Sequence, residues 1–199
     1  MTAHVNDSFL ELYSSPDFGQ SIDSDWMPWF VNGLDLGDHV VNLVAGPGFS
    51  LPGLRKAVAG RVTVAQADPA FTGTSLAEFA DYTSINVVAA DPLRLPFPDN
   101  GFSAATAIMS LHHIPSSGQQ DQALAELVRV VRPGGLIAGL NPIDGPHFRR
   151  MNTDGASVPI DPLTFADRLR RAGVVEVELT VWSFVRFVGR APALKAETR

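Results

Sequence analysis

The stretch Val40–Ser50, VVNLVAGPGFS, constrains the fold of this chain more than any other. Val40, Val41, Leu43 and Val44 form an apolar run with strand composition. Gly46-Pro47-Gly48 turns the chain, and Ser50 stands where a helix cap would, with Pro52 inside the first turn. A strand, a glycine turn and a helix start make the nucleotide-binding unit of doubly wound α/β folds. The glycines let backbone approach a ligand, and the helix start offers free N–H groups.

The remaining chain repeats the alternation. SFLELY after Asp7 reads as a short helix that Ser15-Pro16 breaks, and residues 1–6 read as frayed. A second helix starting between Ser21 and Asp25 carries Trp26, Trp29, Phe30 and Leu34 on one face. The two tryptophans either line an apolar pocket or pack this helix on the body. Leu51 to Val58 is a helix, Arg61 to Gln66 a strand, Ser75 to Asp81 helical, and Ile85 to Ala90 a strand ending at Asp91-Pro92. LRLPFPDNGF is a loop, and Phe102 to Ser110 is the fourth strand. Ser116 or Ser117, each with a glutamine three residues on, caps a helix. Its Leu124, Leu127, Val128 and Val131 follow helical spacing until Arg132-Pro133-Gly134-Gly135 ends it. Leu136 to Leu140 is the fifth strand, and 141–159 is irregular. Asp161-Pro162 starts a helix that Gly173 ends, and Val174 to Trp182 pairs with Phe184 to Gly189 as a hairpin. The expected fold is α/β: a Rossmann-like doubly wound sheet, mostly parallel, with an antiparallel C-terminal hairpin strand. Residues 1–36 form an N-terminal helical cap, 37–190 the α/β domain and 191–199 a loose tail.

At 199 residues with 45% hydrophobic content, one domain can bury a full core. The absence of cysteine excludes disulfides, thiolate nucleophiles and cysteine metal sites. No histidine–carboxylate spacing resembles a metal site, so none is expected. A net charge of -6 argues against a broad nucleic-acid surface. The start MTAHVNDSFLELY lacks signal-peptide features, and no segment has the length and apolarity of a membrane span. The expected setting is cytoplasmic, and the expected partner a small molecule rather than nucleic acid or membrane, with a homodimer left open.

The order Asp91, Leu95-Pro96-Phe97-Pro98-Asp99, Phe102, Leu111-His112-His113-Ile114-Pro115 and Arg132-Pro133-Gly134-Gly135 resembles the small bacterial type of class I S-adenosylmethionine-dependent methyltransferase. The resemblance runs from about Val40 to Val188. It implies a sheet of seven strands, the last antiparallel, and S-adenosylmethionine as cofactor for methyl transfer to a small-molecule acceptor. It implies that Gly46 and Gly48 pass under the methionine part of the cofactor and that position 42 helps orient its amino end. A residue ending the second strand, Gln66 or, with a register shift of two, Asp68, meets the ribose. Asp91, with Pro92, meets the adenine; by its residues alone Asp91 could equally be a turn cap.

Asn42 stands where the family has an acid, Val44 where it has its first glycine, Gln66 at the ribose acid, and Ser103 where an aspartate commonly follows Phe102. Replacing a charged acceptor by an amide costs about 1–3 kcal/mol of interaction. A second reading is therefore a methyltransferase fold that no longer methylates, serving as a binding protein or as an enzyme of another reaction such as a cyclase or isomerase. His112 and His113 follow the fourth strand, where such sheets bind ligands, and either could take a proton from an acceptor. Equally, both could only position the loop. His147, Arg149 and Arg150 form a basic turn, either solvated or facing an acidic substrate.

Overall fold

The computed structural model describes residues 3–13 and 15–194. Positions 1–2 of the expected frayed start and 195–199 of the expected tail lie outside the described residues. Seven strands form one sheet: β1 His39–Val44, β2 Arg61–Gln66, β3 Ile85–Ala89, β4 Phe102–Ile108, β5 Val131–Pro142, β6 Val175–Val181 and β7 Phe184–Arg190. Their order is β3-β2-β1-β4-β5-β7-β6. The first five strands pair in parallel, and β7 runs antiparallel between β5 and β6. The hairpin thus enters the sheet, leaving β6 at its edge.

Val40 to Val44 and all of β4 are buried. Successive strand residues face opposite sides, so burial of every one means the sheet centre is covered on both faces. The chain runs outward through β2 and β3, then returns to start again at β4 beside β1. That reversal opens a crevice beyond the carboxyl ends of β1 and β4, where open α/β sheets bind ligands.

The helices are α1 Asp7–Tyr13, α2 Pro16–Ser21, α3 Met27–Val31, α4 Leu51–Ala57, α5 Thr72–Glu78, α6 Ser117–Val130, α7 Pro146–Met151 and α8 Pro162–Arg171. A π-helical turn over Ile22–Trp26 joins α2 to α3, so the second helix begins earlier than its sequence suggests. Ser116 is the cap of α6 and accepts the Gln119 N–H.

Four local expectations are corrected. Ala3, Val5 and Asn6 are buried rather than frayed; the Val5 N–H reaches Asp68 and the Asn6 amide reaches the Met151 carbonyl, far along the chain. Ser50 makes no capping bond; its side chain is buried. Arg132 to Gly135 does not end α6, which stops at Val130, but bulges within β5, shifting the register from Phe102↔Val131 to Ala104↔Leu136. The stretch 141–159 contains α7, with Pro146 in its first turn.

Gly139 sits in β5 where β4 and β7 press together. A Cβ there would strike the Phe187 ring and stand 2.5 Å from the Ala107 carbonyl oxygen. Backbone on one side and a fully buried ring on the other leave nothing free to yield. Gly139→Ala is expected to cost about 1–3 kcal/mol, read as a lower urea midpoint at unchanged slope.

Candidate functional site

The glycine turn after β1 keeps the backbone its sequence demands, with Gly46 at φ 96° and Gly48 at φ 81°. Gln66, at the end of β2, holds this turn from the side. Its amide nitrogen donates to the Gly46 carbonyl at 2.8 Å and to Ser75 Oγ at 3.2 Å, while its oxygen accepts the Asp68 N–H. Asn42 lies two residues before the strand end, fully buried, with Oδ1 accepting from Thr106 Oγ1. Its Nδ2 has no partner, a buried donor left unpaired. Val44 is buried, and its carbonyl accepts the Ala67 N–H.

The space above the turn holds the chain's own N-terminal segment. A Cβ on Gly46 would lie 3.3 Å from Val5 and 3.6 Å from the Tyr13 ring. The Val5 N–H donates to Asp68 Oδ2 at 3.2 Å, and the other Asp68 oxygen caps the Ala70 N–H. Asp91 is exposed, with Oδ1 accepting the Leu93 N–H in a turn; Pro92 beside it is buried.

His112 and His113 occupy a 3₁₀ turn after β4 and are both fully buried. Met109, at φ 52°, redirects the chain into it. Asn141 of β5 pins it, accepting the Ser110 and Leu111 N–H groups and donating to the Ala107 carbonyl. Both imidazole Nε2 atoms meet the Tyr13 hydroxyl, at 3.2 Å and 3.1 Å. One phenol proton serves two nitrogens, so the hydroxyl donates to one ring and accepts an N–H from the other. His113 Nδ1 lies 3.4 Å from Ser157 Oγ, and His112 Nδ1 has no partner. An unpaired lone pair costs less than an unpaired N–H, so we assign His112 as the Nε2–H tautomer and His113 as Nδ1–H. Burial pushes the His112 pKa down to about 3, with a smaller opposing pull from Asn141. Burial and then the neighbouring His112 charge hold His113 well below its usual range, and burial raises Tyr13. The three groups are therefore neutral at neutral pH.

Beside them opens a cavity of about 620 Å³ whose lining includes Phe9, Phe18, Trp26, Phe148, Trp182 and Phe184. Met109, Asp144 and His147 also line it. Arg149 grips Asp144 in a bidentate pair at 2.8 Å and 2.5 Å, which holds the Asp144 carboxyl below its usual range. Phe9 and Phe148 stand against the imidazoles, with ring centres 5.3 Å and 6.1 Å from His112, so the histidines lie one layer behind the wall. Trp26 packs edge-on to Phe184 inside the cavity, while Trp29 pairs with Trp182. Sequence reasoning missed Val5, Phe9, Tyr13, Met109 and Phe148, which carry no local signal of a site. Among the described residues no group of histidines and carboxylates could hold a metal, and no helix is long and apolar enough to cross a membrane.

An adenosyl cofactor would need the space above Gly46 and free acceptors at the end of β2. Val5 and Tyr13 fill the first, and Gln66 and Asp68 are engaged with backbone. In this conformation the residues do not fit such a group.

Residues 41–139 match the family model described as a methyltransferase domain. The demethylmenaquinone methyltransferase of Corynebacterium kroppenstedtii is 36% identical over 101 residues, which cover 51% of this chain and 40% of that protein. A putative methyltransferase from Bacillus halodurans superposes with a TM-score of 0.70 at 14% identity, covering 85% of this chain and 100% of the other. The [4+2]-cyclase SpnF superposes at 0.68 with 16% identity, covering 97% of this chain and 87% of its own. Curated relatives are longer; this chain spans 13% of one and 40% of another. Residues 41–139, just under half of the chain, are thus similar in sequence to a methyltransferase domain, and the fold is the Rossmann-like fold of the superposed methyltransferases.

Proposed function

We propose that this protein is an S-adenosylmethionine-dependent methyltransferase whose acceptor is a largely apolar small molecule bound in the aromatic cavity. The observation carrying the acceptor class is the cavity wall: six aromatic side chains, with its carboxylate already neutralised by Arg149. A site built this way rewards a ring or branched apolar body and offers no free charge to an ionic one. The acid-to-amide change at Asn42 and the engaged Gln66 favour the second reading, a fold that binds or cyclises without methylating.

The cavity side supplies positioning and water exclusion, which account for much of the rate in transfers needing no strong base. His112 and His113 lie behind Phe9 and Phe148 and stay neutral, so we propose them as positioning residues that hold the Tyr13 hydroxyl and the cavity wall rather than as the base for an acceptor proton. Asn42, Gly46, Gly48, Asp68 and Asp91 remain the proposed cofactor contacts, in a conformation where the N-terminal segment has left.

Calorimetric titration with S-adenosylmethionine and its demethylated product tests the reading: the enzyme binds both, the second reading neither. For the cavity, 1-naphthol is a suitable probe. Trp26→Ala, which removes a ring packed on Phe184, is expected to weaken its binding at least about tenfold, roughly 1.4 kcal/mol. Equal affinity in both proteins places the acceptor elsewhere.

A further inference from the structure

We propose that residues 3–13 are an intramolecular occupant of the glycine-turn crevice, and that a ribose-bearing ligand binds there by displacing them; this rests on the cofactor reading above. Open α/β sheets take ligands where the strand order reverses, beyond β1 and β4. That place is filled here by Val5 over Gly46 and by Tyr13 over Gly46 and the histidine turn.

The substitution is chemical as well as steric. Asp68 is buried, and one of its oxygens receives the Val5 N–H. A ribose hydroxyl is a donor of the same kind, so ligand and segment exchange one hydrogen bond for another at that carboxylate. Gly46, the close-approach residue of the turn, has its free face against Val5 and Tyr13, the surface a ligand backbone or sugar would take.

Besides the Tyr13 hydroxyl, whose bonds to both histidines must break when the segment leaves, its polar anchors are separable from the sheet. Asn6 donates to the Met151 carbonyl at 3.2 Å and to Asp154 at 2.9 Å, and its oxygen caps the Phe9 N–H. The His4 N–H donates to the His113 carbonyl at 3.3 Å. None of these partners belongs to the sheet itself, so the segment can leave without breaking a strand pair. The apparent affinity of the crevice is then its intrinsic affinity reduced by the fraction of molecules whose segment is out.

Asn6→Ala removes three anchoring bonds yet touches neither the glycine turn nor the histidines. It is expected to bind S-adenosylhomocysteine at least about tenfold tighter than the natural chain by calorimetry. In the natural chain, saturating S-adenosylhomocysteine is expected to raise hydrogen exchange at the Val5 and Phe9 amides; this measurement stands even where the variant folds poorly. Binding that leaves both amides protected, at equal affinity in the two proteins, overturns the displacement and leaves the methyltransferase reading standing. Absence of binding in both, with exchange showing the segment released in Asn6→Ala, overturns both.

Discussion

Lowering the pH from about 7 to about 5 is expected to remove about 2 kcal/mol of folding stability through His112 alone. Its folded pKa of about 3 lies below the ordinary histidine value of 6.5. Between those values the unfolded chain binds a proton that the folded chain refuses. Stability is therefore complete above the unfolded pKa and falls as the pH drops, down to the folded pKa. His113 is depressed by the same burial and adds to the loss, as does His39, lowered chiefly by its own burial. The carboxylates held low by partners, Glu126 by Arg129 and Asp154 by Asn6, protonate at lower pH and leave this window to the histidines. Urea unfolding at the two pH values checks it, and His112→Gln is expected to lose much of the pH dependence. A midpoint unchanged between the two would mean that water reaches the imidazoles.

Tyr13→Phe is expected to cost about 2–4 kcal/mol, a large effect for one oxygen atom. The hydroxyl is the partner of both Nε2 atoms, so its removal leaves two buried nitrogens unpaired, at about 1–3 kcal/mol each. The ring stays and keeps its packing on Phe49 and Phe18, which isolates the hydrogen bonds from cavity formation. Two measurements apportion the loss. A lower urea midpoint places it in the whole fold; faster exchange at the Val5 and Phe9 amides at unchanged midpoint places it in the N-terminal segment. No change in either would show that the histidines satisfy themselves without the phenol.

The succession of strands and helices along the chain, the glycine turn, a cap at Ser116 or Ser117 and the helix start at Asp161 were legible in the sequence, because each rests on a local rule; the order of the strands within the sheet was not. Period-2 apolar runs become strands, a left-handed residue at a turn is glycine, and a hydroxyl or carboxylate before a helix takes its free N–H. The bulge at Arg132 to Gly135 was not legible, because a proline and two glycines read as a terminator. Only the neighbouring strand, pairing on both sides of them, keeps them within β5.

The placement of the candidate residues belongs to the tertiary structure. Sequence located His112 and His113 after β4, since that follows from the succession of elements along the chain. It said nothing of their being roofed by Phe9 and Tyr13, about a hundred residues earlier in the chain. Likewise Asp68 and Gln66 end the second strand by simple counting, while their partners depend on what is folded over them. Val5 reaches Asp68 across a separation of 63 residues, and no local pattern encodes that meeting. The sequence by itself determined a doubly wound sheet with a ligand crevice at its point of reversal, because alternation and turn chemistry act over a few residues. What lies in the crevice, and which polar groups there are already spoken for, was decided by packing between distant segments.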